Sequence, residues 1–153
     1  MLLKNTPNGV PGNTVRYVPE DPLSRMPTMQ LWIVLGAVFG LLSVVSGALG
    51  VHALPAYLGA DALDTFETAV RFQMYHALAL LATGLLSDRW KSGLIDLAGA
   101  LFAAGVLLFS GSLYILAFTG IGVFGAVAPA GGAFLIAGWT MLIVGAIRQQ
   151  ARS

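Results

Sequence analysis

Four stretches of this chain, residues 29–51, 62–86, 94–119 and 129–147, stay apolar long enough to cross a lipid bilayer. A hydrocarbon core of about 30 Å takes about 20 helical residues, and each run reaches or nearly reaches that length. In such a solvent the backbone must satisfy its own hydrogen bonds, so an open chain has to cross as helix. Composition agrees: 57% of residues are hydrophobic and 10% charged, against about 45–50% and about 25% in soluble domains. The expectation is an all-α integral membrane four-helix bundle. Residues 1–28 form a proline-rich tail, 29–148 the transmembrane domain and 149–153 a short polar end.

The basic residues give this bundle a direction. Lys4, Arg16 and Arg25 precede the first run, Arg89 and Lys91 separate the second from the third, and Arg148 and Arg152 follow the fourth. The loops 52–61 and 120–128 contain neither Lys nor Arg. Short cytoplasmic segments are enriched in Lys and Arg, so both termini and the middle loop are expected on the cytoplasmic or matrix side. The formal net charge of +1 points to no nucleic-acid partner. With no cysteine in the chain, disulfides, thiolate metal sites and cysteine nucleophiles are excluded.

Polarity concentrates in the second run, where Glu67-Thr68-Ala69-Val70-Arg71-Phe72-Gln73-Met74-Tyr75-His76 carries five kinds of polar side chain. Charged groups at membrane depth are costly and usually face a bundle interior, a cavity or a partner. Helical spacing puts Asp64, Glu67, Arg71 and Tyr75 on one face, with Glu67 and Arg71 at the i, i+4 distance of an ion pair. Either Glu67 or Asp64 is expected to neutralise Arg71, with snorkelling toward the interface as the alternative. Gln73 and His76 fall on roughly the opposite side, facing a neighbouring helix. Asp61 suits the N-cap of this helix.

Elsewhere the pattern is one of packing. Gly36, Gly40, Ser43, Gly47 and Gly50 recur every three or four residues and form one stripe of small side chains, the kind that lets membrane helices approach closely. The first helix runs out at His52, ahead of Pro55, and places this histidine near the outer interface. The third carries Ser110, Ser112 and Tyr114 toward its outer end and Asp96 in its first turn. Pro129 is expected in the first turn of the fourth. Ser46-Gly47-Ala48-Leu49 faintly echoes Ser110-Gly111-Ser112-Leu113, as two related helical hairpins would.

These residues also support a resemblance. The segments Gly47-Ala48-Leu49-Gly50-Val51-His52-Ala53-Leu54, Thr68-Ala69-Val70-Arg71-Phe72-Gln73-Met74-Tyr75-His76-Ala77-Leu78, Phe109-Ser110-Gly111-Ser112-Leu113-Tyr114 and Pro129-Ala130-Gly131-Gly132 resemble the DUF423 family of small membrane proteins of unknown function, bacterial and mitochondrial. The resemblance implies four membrane helices in a bacterial inner (plasma) membrane or a mitochondrial inner membrane. It supplies no catalytic residues, and the proline-rich tail departs from the family's short start.

Three functions compete. A non-catalytic accessory, assembly or structural subunit of a larger membrane complex fits the small size and short loops; its partners would be lipids and other membrane subunits, met in part through the 1–28 tail. A small oligomeric carrier or channel would use Glu67, Arg71, Gln73 and His76. Haem ligation by His52 and His76 fails on depth, since they lie about 22 Å apart along the membrane normal at about 1.5 Å per residue. No catalytic, cofactor or metal residue is expected.

Overall fold

The computed structural model describes residues 28–90 and 92–151. Four helices run α1 (Thr28–His52), α2 (Ala60–Trp90), α3 (Gly93–Thr119) and α4 (Val123–Gln150), with a single 3₁₀ turn at Leu54–Ala56 between the first two. The basic N-terminal tail, Lys91 and Arg152 lie outside the described residues, and with them part of the charge pattern used to orient the chain.

Three helices, α1, α3 and α4, are long and apolar enough to cross a membrane. The second is the longest at 31 residues, but acids and arginines crowd its two ends. Between them, residues 72–87 contain no Asp, Glu, Lys or Arg, which makes a core of about 24 Å at about 1.5 Å per residue. Because α2 packs lengthwise against α1 and α3, it crosses with them.

The register follows from small residues. Along the α1–α2 seam Gly50 meets Phe66, Gly47 meets Val70, Gly36 meets Ala77 and Leu81, and Gly84 meets Ile33 and Met29, so the two helices are antiparallel. Along the α3–α4 seam Gly131 meets Phe109, Gly105 meets Leu135, Gly138 meets Phe102 and Gly145 meets Ile95. The stripe expected on α1 is therefore its α2-facing side. The buried core, Trp32, Phe39, Leu80, Phe102, Val106 and Leu135 among others, lies at the heart of the bundle. Each helix packs chiefly on its neighbours in sequence, and the backbones of α1 and α4 do not come together. The bundle is thus open along one side.

Two chain breaks differ from expectation. The loop anticipated over 120–128 shrinks to Gly120, Ile121 and Gly122, because α4 starts at Val123 and contains Pro129 within it. Gly120 makes the short turn possible: it sits at φ 67°, and its N–H closes α3 on the Leu116 carbonyl at 2.8 Å. A proline this far into a helix removes the bond to the carbonyl four residues back, here that of Gly125. At the other correction, α2 begins at Ala60, which moves Asp61 from the cap into the first turn. Its charge still suits the helix dipole there.

A second short echo joins the first. Gly36-Ala37-Val38-Phe39 in α1 parallels Gly99-Ala100-Leu101-Phe102 in α3, and Phe39 and Phe102 both enter the core. Trp32 bonds to Asp96, 64 positions on. Ser46 and Ser110 share that offset, whereas Gly36 and Gly99 stand 63 apart, so the two echoes are one residue out of register.

Candidate functional site

The polar residues of α2 separate into two sets that the helix carries on different faces. Gln73 and His76 point inward and are buried. Gln73 Nε2 donates to the Phe39 carbonyl across the α1–α2 seam at 2.9 Å. Ser43 answers one turn away, its hydroxyl donating to the Val70 carbonyl at 2.8 Å. His76 accepts at Nε2 from the Trp139 indole N–H at 3.2 Å, so Nδ1 carries the hydrogen that it donates to the Phe72 carbonyl at 2.8 Å. With both nitrogens occupied, His76 ties α2 to α4 and has no lone pair left for a metal. Phe72, Phe102 and Trp139 surround the ring with centroids 5.6–6.2 Å away.

The second set faces outward. Arg71, Glu67, Asp64 and Tyr75 are all exposed, so of a bundle interior, a cavity or a partner the charges do not take the interior. Arg71 Nη2 stands 4.0 Å from Asp64 Oδ1, with side chains 57% and 81% exposed, so the partner is Asp64 rather than the i, i+4 Glu67. Depth explains the choice. Side chains on a helix lean toward its N-terminus, which for α2 is the membrane surface on the loop side. Arg71 lies opposite Gly47 and Ser46, about 9 Å below the end of α1 at about 1.5 Å per residue, and reaches upward past Glu67 to the carboxylate two turns above. An exposed pair of this kind contributes little to stability.

Between these faces α1 and α2 part. Gly47, Gly50, Val51, Phe66, Glu67, Val70 and Arg71 line a groove of about 210 Å³ at the loop end of the seam. Phe66, tilted against Tyr114 at 5.1 Å and edge-on to Phe118 at 5.7 Å, forms its floor. Behind that floor the buried Ser110 and Tyr114 hydroxyls lack partners, the latter facing Ser46 outside full hydrogen-bonding geometry. Ser112 bonds to its own helix at the Phe109 carbonyl, 3.0 Å away. His52, exposed at the end of α1, is about 16 Å from the level of His76 by the same register. Among the described residues no group of three His, Cys, Asp or Glu could hold a metal.

At the opposite end the structure assembles a cluster that spacing does not reveal. Asp96 of α3 accepts from the Ser87 hydroxyl of α2 at 2.6 Å and from the Trp32 indole of α1 at 3.3 Å. The carboxylate joins three helices; in sequence it is simply an acid in a first turn.

The family model described as "Protein of unknown function (DUF423)" matches residues 46–132, a span that holds the groove, His76 and Asp96. The chain is 42% identical to the UPF0382 membrane protein YwdK of Bacillus subtilis over 78% of its own length and 98% of the relative's. A UPF0382 membrane protein of Staphylococcus haemolyticus is 46% identical over 76% and 94%, and one of Staphylococcus saprophyticus 42% identical over 78% and 99%. No solved structure matches. Three apolar spans and bacterial membrane relatives fit a multi-pass protein of the inner membrane.

Proposed function

Since the chain belongs to the DUF423 family of membrane proteins, whose function is unknown, we propose that it acts as a non-catalytic accessory or structural subunit of a larger membrane complex. The supporting observation is that the buried polar groups of α2 are tied to the protein's own helices: Gln73 to Phe39, His76 to Phe72 and Trp139, Thr83 to Ala79 and Ser87 to Asp96. A carrier moving a polar substrate between these helices would need such groups to exchange partners. Meanwhile α1 leaves a broad apolar face uncovered, with Leu41, Val44 and Val51 each more than 60% exposed. A transmembrane neighbour can cover it by close packing.

We infer from Arg89 and Arg148, together with the basic residues beyond the described ones, that both termini and the α2–α3 link are cytoplasmic. Reporter fusions after Ser153 and within residues 87–92 then read cytoplasmic, and fusions within 55–60 read the opposite side. Purification in a gentle detergent, with mass spectrometry of what remains bound, tests the subunit reading. It expects a stoichiometric complex, and loss of that complex on removing residues 1–27 would assign the tail to the contact. A homo-oligomer that passes ions in liposomes would replace it with the carrier.

A further inference from the structure

We propose that the groove between the loop ends of α1 and α2 seats one phospholipid with a primary-amine headgroup, of the phosphatidylethanolamine type. The site combines two chemistries at one depth. Its floor and walls, Gly47, Gly50, Phe66 and Val70, are apolar, and its rim carries one guanidinium and two carboxylates, Arg71, Glu67 and Asp64. About 210 Å³ is less than the roughly 300 Å³ of a pocket that encloses a whole small molecule. It is enough for part of an acyl chain that enters from the side, where Val51 is 67% exposed to the lipid.

The rim selects the headgroup. Arg71 offers five N–H donors in a fork suited to a phosphate, and its contact with Asp64 at 4.0 Å is long enough to yield to one. Glu67 and Asp64 leave an excess of negative charge, increased one turn further out by Asp61. An anionic headgroup without an amine therefore meets repulsion, whereas an ammonium group supplies three donors for the carboxylates. Choline carries the same charge but no N–H. The site is thus complementary to a phosphate followed two carbons later by a primary ammonium. Glycines keep it open: a methyl group at Gly47 would meet only Val70, at 3.6 Å.

The test uses the full-length chain in bilayer nanodiscs of phosphatidylethanolamine and phosphatidylglycerol, or of phosphatidylcholine and phosphatidylglycerol. Native mass spectrometry reads retained lipid, and thermal unfolding confirms that each variant is folded. The wild type should retain phosphatidylethanolamine about fivefold over phosphatidylcholine, the scale of one or two exposed charge-assisted bonds. Asp64→Asn with Glu67→Gln should abolish the preference; Arg71→Gln should weaken both lipids; Gly47→Leu should displace both while the protein stays folded. Equal retention of the two lipids by the wild type overturns the proposal, as does a preference that survives both the acid-neutralising pair and Gly47→Leu. Preferential retention of phosphatidylglycerol overturns it too.

Discussion

The two hairpins are built to one plan and closed by different means. In the α3–α4 seam glycine meets a bulky neighbour from end to end: Gly145 on Ile95, Gly138 on the Phe102 ring, Gly105 on Leu135 and Gly131 on the Phe109 backbone. In the α1–α2 seam that closeness holds only at the end nearest the termini, at Gly36 and Gly84. Beyond them a methyl at Gly40 finds its nearest atom at 3.9 Å, and toward the loop the contacts return only to 3.6 Å at Gly47 and 3.3 Å, against the Phe66 ring, at Gly50. There two hydrogen bonds, from Gln73 and Ser43, hold the helices instead. Shape complementarity locks one hairpin along its length, and the other is looser past its first turns, with a groove beside its loop end.

Substitutions that add a single methyl group probe this contrast most sharply. Gly131→Ala would set Cβ against Phe109 N and within 2.7 Å of its Cα. Backbone cannot rotate away, so the helices must part, at a cost of about 3 kcal/mol, the upper range for overpacking. Gly36→Ala, with the Ala77 carbonyl at 2.8 Å and Leu81 N at 3.0 Å, should cost about 2 kcal/mol. Both are read by reversible unfolding in mild detergent. If Gly131→Ala proves as mild as a change on the lipid face, the α3–α4 seam is not locked.

Smaller effects belong to the looser half. Gln73→Leu keeps the bulk and removes the bond to Phe39, and should cost about 0.6 kcal/mol, the average for such bonds between membrane helices. A loss of several kcal/mol would mean that the hydrogen bonds carry this seam. Gly47→Ala, with ordinary contact waiting for its methyl, should stay within about 0.5 kcal/mol of wild type. Strong destabilisation there would show the groove to be closed in the membrane.

What the sequence made legible was periodic and local. The stripe of Gly36, Gly40, Ser43, Gly47 and Gly50 reads directly as a helix interface, and apolar runs place all four helices, though not all their ends. That Gln73 and His76 face neighbouring helices was legible from their shared side of α2; which helices they meet was not, because spacing within one helix says nothing of its neighbours. Arg71 illustrates it: depth decided its direction, and depth depends on where α1 ends. Pro129 was misplaced because proline marks a first turn in water, whereas a membrane helix tolerates it in its interior. The ties Trp32 to Asp96 and His76 to Trp139 join residues more than 60 positions apart, beyond any spacing rule.

That the backbones of α1 and α4 never come together also bears on how the chain is made. Every helix docks on the one synthesised just before it, and few ties, such as Trp32 to Asp96 and His76 to Trp139, skip a helix, so loop-closure entropy stays small. The first hairpin can settle while the second is still in the ribosome. A chain cut between Trp90 and Gly93 and expressed as two fragments should therefore reassemble in the membrane, guided by the Asp96 carboxylate between Ser87 and Trp32.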